Sequence, residues 1–308
     1  MHGKKTQVGY NRNLLVLPFD HRGSFQEKLF GIKGRPTAEQ HRLICDYKGI
    51  IYRGFELALD QGLSQDEMAL LVDDQFGSAV IRDAKNKGYT VCVPAEKSGQ
   101  EEFDFEYGSE FEHAIEKTNP DFVKVLVRYN PAGDEAMNTR QAQRLYQLSD
   151  YLTQSGRYFM FELLVPPTPS QLAQCGGSQS LYDTRLRPQL MVDALLELQQ
   201  SHIEPDVWKL EGLAQAADYQ RVCDAARQEG RGHVGVIVLG RGEDPTKVKE
   251  WLQAAASVPG VIGFAVGRTL FWEPLKACLE KKISTEEAAQ QIAHRYSELC
   301  LLWRQIHS

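Results

Sequence analysis

The chain has 308 residues, 25% of them charged, and a net charge of -6, so it lacks the excess of cations that a nucleic-acid surface requires. No stretch approaches the roughly 18 consecutive apolar residues of a membrane span, and residues 1–12 lack the apolar core of a signal peptide. The six cysteines are scattered, without the spacing of a metal site. We therefore expect a cytoplasmic protein without disulfides, and with neither a nucleic-acid nor a membrane partner.

Short apolar segments alternate with helical patterns along most of the chain. The predicted strands are Leu14–Phe19, Ala69–Asp73, Thr90–Pro94, Phe122–Val127, Tyr158–Val165, Val207–Leu210, Val234–Leu239 and Ile262–Val266. The helices predicted between most of them and after the last one are Ala38–Leu59, Ser78–Lys87, Glu110–Thr118, Thr139–Gln154, Arg187–Ser201, Ala214–Gln228, Thr246–Ala256 and Thr285–Gln305. Strands that are apolar on both faces and separated by helices indicate a parallel sheet covered on both sides.

Eight such units predict an α/β fold of the closed (β/α)8, or TIM barrel, class. An open, doubly wound sheet is the alternative, but it gives no reason for eight regular repeats. No linker rich in Pro, Gly or Ser divides the chain, so residues 1–308 are predicted to form a single barrel domain, with 1–12 as a polar N-terminal tail. The longest predicted loop is Val165–Pro188, and we expect it to be a lid or a substrate-binding element. The second-longest candidate is Glu96–Gly108.

Two lysines lie inside predicted apolar strands. Lys124 falls within Phe122–Val127, and Lys209 falls within Val207–Leu210. Burying an ammonium group costs free energy, so both positions indicate amine chemistry. One lysine would be a nucleophile, and the other would raise the fraction of free amine by like-charge repulsion. The alternative is a structural role, in which each lysine pairs with an acid.

Polar residues and glycines follow the predicted strands. Catalysis in a barrel takes place where the strands end, so these positions are candidate site residues. Glycine-rich turns leave backbone N–H groups open to an anion, and arginine adds paired donors. A phosphate site is therefore predicted after the last two strands, at Gly240, Arg241, Gly267 and Arg268.

Several of these segments resemble a known enzyme family. In order and over nearly its whole length, the chain is similar to the class I aldolases that include bacterial tagatose-bisphosphate aldolase and sulfofructosephosphate aldolase, through Phe19–Gly23, Glu96–Gly99, Val123–Leu126, Phe161–Leu164, Asp206–Glu211 and Val266–Thr269. It resembles more closely the aldolase-type domain often fused to 5-dehydro-2-deoxygluconokinase in bacterial inositol catabolism, through Leu17–Arg22, Val127–Pro131 and Gly263–Thr269.

The resemblance implies a reaction and the residues that perform it. Lys209 matches the Schiff-base lysine, while Lys124 and Glu162 match the second lysine and the catalytic glutamate. Asp20 and His21 correspond to an Asp-Gln pair near the substrate ketone, with His in place of Gln. The implied reaction is retro-aldol cleavage of 6-phospho-5-dehydro-2-deoxygluconate to glycerone phosphate and malonate semialdehyde. The residues expected to bind this substrate are Asp20, His21, Glu96, Lys97, Arg128, Glu211, Gly240, Arg241, Gly267 and Arg268.

Other interpretations stay open at this point. A metal-dependent aldolase would need a His-rich ligand set, but only His21 falls at a predicted strand end, so we expect no metal and no cofactor. The substrate could instead be tagatose 1,6-bisphosphate or sulfofructose phosphate, and a sugar-phosphate-binding barrel without catalysis is a further alternative. Glu96, Lys97 and Arg128 are either substrate contacts or a structural charge network. We expect a homo-oligomer, associated with or fused to a sugar kinase.

Overall fold

Eight parallel strands close into a barrel in chain order in the computed structural model, which describes residues 5–242 and 244–307. The strands are β1 Leu14–Pro18, β2 Met68–Leu71, β3 Thr90–Pro94, β4 Phe122–Arg128, β5 Tyr158–Leu164, β6 Val207–Glu211, β7 Gly235–Leu239 and β8 Val261–Ala265. The barrel closes because β1 pairs with β8, where Leu14 is in register with Gly263 and Val16 with Ala265. The predicted TIM barrel is therefore confirmed, and the open sheet is excluded.

Helices surround the strands. They are α1 Gly23–Phe30, α2 Ala38–Asp60, α3 Asp74–Asn86, α4 Phe111–Thr118, α5 Glu135–Ser155, α6 Pro169–Gln174, α7 Gln179–Arg185, α8 Arg187–Gln200, α9 Ala216–Ala226, α10 Pro245–Ala256, α11 Arg268–Leu279 and α12 Thr285–Ile306. No helix in the described part of the chain is long and apolar enough to cross a membrane.

Four of these helices were not predicted from the sequence. α6 and α7 lie inside Val165–Pro188, so this segment is mostly helical and not a loop. α1 and α11 lack the usual start signal, because Arg22 and Gly267 at their N-caps provide no side-chain hydrogen bond. α11 also contains Pro274, which is unfavourable inside a helix.

The barrel interior has an apolar layer beneath a charged layer. Phe122, Met160 and Val207 belong to the buried apolar cluster inside the barrel. Two residues further along the same strands lie Lys124, Glu162 and Lys209. Since residues i and i+2 of a strand point to the same face, these charged side chains occupy the next layer, towards the carboxyl ends of the strands.

The N-terminal segment covers the opposite end of the barrel. In the described part of the predicted tail, Lys5 forms an ion pair with buried Asp206, and the Gly9 backbone N–H donates to Asp206 Oδ1 at 2.7 Å. Tyr10 is buried and packs edge-on against Phe122 and Tyr158. Residues 5–12 therefore add apolar and ionic contacts beneath the barrel, whereas residues 1–4 lie outside the described residues.

Candidate active site

A cavity of about 890 Å³ opens at the carboxyl ends of the strands. It brings together all the predicted site residues except Glu211, namely Asp20, His21, Glu96, Lys97, Lys124, Arg128, Glu162, Lys209, Gly240, Arg241, Gly267 and Arg268. No residue of the helical segment Val165–Pro188 is among those that line it. Residues far apart in the sequence meet here because every strand ends at the same rim.

Glu162 lies between the two strand lysines. Its Oε2 atom is 2.9 Å from Lys209 Nζ and 2.8 Å from Lys124 Nζ. The arrangement follows from the strand order, since β5 lies between β4 and β6 and Glu162 is in register with Lys209. The three side chains are nearly completely buried. A single carboxylate therefore contacts both amines, within proton-transfer distance of Lys209.

Three carboxylates surround Lys124. Its Nζ atom is 3.0 Å from Asp20 Oδ2, 2.7 Å from Glu96 Oε1 and 2.8 Å from Glu162 Oε2. Burial acts to lower the pKa of Lys124, but the attraction of the three carboxylates outweighs it and holds the pKa well above its ordinary value. Lys124 is thus a fixed cation at the centre of the cluster.

The three carboxylates differ in their affinity for protons. Burial acts to raise the pKa of both Asp20 and Glu162, but the nearby lysines, Lys124 above all, reverse this and hold both values below normal. Burial prevails at Glu96 and raises its pKa, although Lys124 and Arg22 act against it. Glu96 Oε2 is also buried without a hydrogen-bond partner among the described residues. Glu96 is therefore the carboxyl group of the cluster that most readily holds a proton.

The sequence prediction of like-charge repulsion between the lysines needs a refinement. Because Glu162 contacts both Nζ atoms, its negative charge offsets the repulsion between Lys124 and Lys209. The contact at 2.9 Å between Glu162 Oε2 and Lys209 Nζ instead offers a base beside the amine.

His21 lies on the cavity wall beside Asp20. Burial, together with the Arg268, Lys209 and Lys48 cations, lowers the pKa of His21 to about 4, even though Asp20 acts to raise it. The ring is therefore neutral at pH 7 and has one N–H donor and one acceptor nitrogen. Nδ1 is buried and has no hydrogen-bond partner among the described residues.

The turns after β7 and β8 line the cavity. Gly267 is the N-cap of α11 and provides no side chain to occupy the first backbone N–H groups of that helix. Arg268 Nη2 donates to the Arg241 carbonyl at 2.8 Å. Gly242 has a φ of 77°, and a Cβ there would lie 2.7 Å from Arg268 Nη2. Glycine at 242 thus permits both the turn and the close approach of the guanidinium.

Cations also line the cavity on the side of β3 and β4. Arg128 Nη1 donates to the Gln100 carbonyl at 2.9 Å, and Lys97 is exposed. Arg22, which the sequence analysis did not assign to the site, is buried there; it pairs with Glu106 at 2.8 Å and donates to the Glu96 carbonyl at 2.5 Å. Its side chain therefore holds the loop that carries Glu96.

A buried lysine behind the cavity also went unnoticed in the sequence. Lys48 of α2 is completely buried, forms an ion pair with Asp73 and donates to the Phe19 carbonyl at 2.9 Å. The sequence did contain a sign of its burial, because Lys48 lies on the same face of α2 as the apolar residues Ile44 and Ile51. A cation on that stripe needs a buried acid as its partner.

Glu211 lies outside the cavity lining, unlike the other predicted site residues. Its Oε1 atom is 3.3 Å from Arg187 Nη1 and 3.3 Å from Arg241 Nε, while Oε2 accepts from the Val165 N–H at 3.1 Å. Its contacts connect β6 to the segments that follow β5 and β7.

Comparisons with known proteins place the chain in a family. The family model described as "Uncharacterized protein conserved in bacteria (DUF2090)" matches residues 1–307. The chain belongs to this family. Among curated proteins, none matches the sequence.

Solved structures share the fold. Cgl0159 from Corynebacterium glutamicum is 14% identical with a TM-score of 0.56, over 96% of this chain and 90% of that one. The fructose-bisphosphate aldolase from Slackia heliotrinireducens DSM 20476 is 13% identical with a TM-score of 0.56, over 92% of this chain and 86% of that one. At such low identities, the likeness establishes the barrel alone.

Proposed function

We propose that this protein is a class I aldolase that cleaves a ketose phosphate through a Schiff base on Lys209. The observation that carries the proposal is the buried Lys124–Glu162–Lys209 arrangement in the wall of a large cavity at the catalytic end of the barrel. Nucleophilic amine catalysis requires a lysine beside a group that removes its proton, and Glu162 Oε2 is 2.9 Å from Lys209 Nζ.

The reaction begins when Lys209 transfers a proton to Glu162 and its amine attacks the substrate ketone. The resulting carbinolamine takes a proton back and loses water, which leaves an iminium ion. This ion accepts the electron pair of the C–C bond between its α and β carbons as that bond breaks, and an enamine forms. Glu162 is the candidate base for the hydroxyl proton of the carbon that becomes the aldehyde, and the substrate phosphate is the alternative.

The remaining steps return the enzyme to its starting state. The enamine is protonated on carbon, water adds to the iminium carbon, and glycerone phosphate leaves as Lys209 regains its amine. Lys124 stays charged throughout, since three carboxylates hold its proton. We propose that it stabilises the negative charge that develops on oxygen in the aldehyde half of the substrate.

Arg268 and the open turns after β7 and β8 are the proposed phosphate site. Gly240, Gly267 and the Arg241 turn complete it, and phosphate binding at these two strands is common among barrels. Binding energy from the phosphate then serves to place the ketone carbon against Lys209 Nζ.

For the substrate we propose 6-phospho-5-dehydro-2-deoxygluconate. The resemblance to the inositol-pathway domain supports this choice. So do Arg128 and Lys97, two cations beside β3 and β4, on the side of the cavity away from the phosphate turns, where a carboxylate would gain a charge-assisted partner. Asp20 and His21 would contact the substrate near the ketone.

The neighbouring fructose-bisphosphate aldolase structure is consistent with a ketose phosphate, and it keeps bisphosphate substrates as the second candidate. The test is kcat/KM for 6-phospho-5-dehydro-2-deoxygluconate against tagatose 1,6-bisphosphate, fructose 1,6-bisphosphate and sulfofructose phosphate, with products identified by mass spectrometry. A clear preference for any of the other three would overturn the substrate. Cleavage of none of them would favour a sugar-phosphate-binding barrel without catalysis.

A further inference from the structure

Four charged side chains form a closed ring beside the proposed phosphate site. Asp183 Oδ1 is 3.3 Å from Arg187 Nε, and Asp183 Oδ2 is 2.9 Å from Arg241 Nη1. Glu211 Oε1 is 3.3 Å from both Arg187 Nη1 and Arg241 Nε. We call these four residues the charge ring. With two cations and two anions, the ring is electrically balanced.

The charge ring joins parts of the chain that are distant in sequence. Asp183 lies in α7, Arg187 begins α8, Glu211 ends β6 and Arg241 follows β7. Arg187 is buried and also donates to the Gly212 carbonyl at 3.0 Å, so one side of the ring is anchored to the backbone that follows β6. The ring therefore couples the helical segment after β5 to the turn after β7.

The Arg241 turn needs such an anchor. Arg241 has a φ of 53°, a left-handed conformation that a residue with a Cβ adopts at a cost. Its side chain is held by Asp183 and Glu211 on the ring side. On the cavity side, its carbonyl accepts the hydrogen bond from Arg268 Nη2 at 2.8 Å. A displacement of the Arg241 turn would thus move the acceptor that aims the Arg268 guanidinium.

We propose that Asp183 is a positioning residue for anion binding, which acts through the Arg241 turn to aim Arg268 at a phosphate group. The identity of this ligand rests on the proposed function. The helical segment within Val165–Pro188 would then support the phosphate site indirectly, through the contact of Asp183 with Arg241, although none of its residues lines the cavity.

The competing possibility makes the opposite prediction. If the two carboxylates merely hold Arg241 away from the phosphate, removing one of them frees a guanidinium to bind the anion. Asp183→Asn would then tighten phosphate binding, whereas a positioning role predicts weaker binding because the turn loses its anchor.

The test is the dissociation constant of inorganic phosphate, measured by calorimetry for the wild type and for Asp183→Asn. We expect the dissociation constant to rise roughly three- to tenfold, as for the loss of about one ordinary hydrogen bond, because Asp183 acts on the phosphate only through the Arg241 turn. Asp193→Asn is the matched control, because Asp193 sits on the neighbouring α8 with Gln189 as its partner, and it should leave the constant unchanged. An unchanged or lower constant for Asp183→Asn overturns the proposal.

A second variant separates positioning from a general loss of structure. Arg241→Gln should weaken phosphate binding by a similar factor, and the double variant should be no weaker than either single variant. Asp183→Glu should recover part of the affinity. Additive losses, or a fall in thermal stability that tracks the affinity in every variant, would contradict the proposal. If Asp183→Asn fails to fold, the phosphate affinities of Arg241→Gln and Asp183→Glu still test the positioning role.

The outcome is independent of the proposed reaction. Phosphate binding requires no imine, so a wild type that binds phosphate but forms no adduct on Lys209 refutes the aldolase and leaves the role of Asp183 standing. A wild type that binds no phosphate refutes the positioning role as well.

Discussion

Replacement of Arg268 by alanine tests the phosphate site directly. Among the described residues, the Arg268 guanidinium makes one hydrogen bond, from Nη2 to the Arg241 carbonyl at 2.8 Å, and we propose its remaining N–H groups as donors to the phosphate. A charge-assisted hydrogen bond contributes on the order of 1.5–3 kcal/mol, and Arg268 is only partly buried, which favours the lower half of this range. We therefore expect kcat/KM for a phosphorylated ketose to fall roughly ten- to fiftyfold.

The assay compares each variant on a phosphorylated ketose and on the same ketose without its phosphate. The loss caused by Arg268→Ala should shrink on the unphosphorylated substrate, because the missing contact is no longer available to the wild type either. Arg268→Lys is the matched control; it keeps the charge but loses the planar fork, so it should recover only part of the loss. Equal losses on both substrates would refute the assignment.

Three further outcomes follow from the site. Folding raises the pKa of Glu96, so the folded protein binds a proton at Glu96 more tightly than the unfolded chain does. This tighter proton binding stabilises the fold below a pH of about 4, and the stabilisation is lost as the pH rises through the folded pKa. The thermal stability of Glu96→Gln should therefore improve relative to the wild type as the pH rises above about 4, and a difference in Tm that stays constant as the pH rises would contradict this. Gly242→Ala should raise KM for the phosphorylated substrate but not for its unphosphorylated analogue, since a Cβ at 242 would lie 2.7 Å from Arg268 Nη2; equal KM values for wild type and variant would speak against this. Cleavage activity should survive EDTA, because an iminium ion supplies the electron sink that a metal would otherwise provide, and loss of activity that zinc restores would point to a metal-dependent aldolase.

The barrel could be predicted because its signal is repeated along the whole chain. Each strand is apolar on both faces, and eight strands between helices have few other ways to bury both faces. Helices without local signals escaped prediction. α1 begins after Arg22 and α11 after Gly267, neither of which caps its helix, so tertiary packing decides that these segments are helical.

The cavity-lining residues at the strand ends were predictable for a similar reason, since parallel strands bring their carboxyl ends to one rim, whereas lining residues on the loops and on α1, such as Gln26, were not. The ion-pair partners of each residue could not be predicted. The sequence does not reveal that Glu162 contacts both lysines, or that Glu211 turns away from the cavity towards two arginines. These pairings depend on strand register and on the path of the α7 segment. The partner of Lys48 could not be predicted either, because Asp73 lies outside the helix that carries Lys48.

The covalent adduct is the most direct measurement of the central proposal. Glycerone phosphate and borohydride should add one reduced triose phosphate to the peptide that contains Lys209, and Lys209→Ala should abolish the adduct. Lys124→Ala is the matched control: it removes the other buried lysine of the cavity and should reduce the amount of adduct without moving its position. Labelling that maps to Lys124, or that persists in Lys209→Ala, would contradict the assignment of the nucleophile.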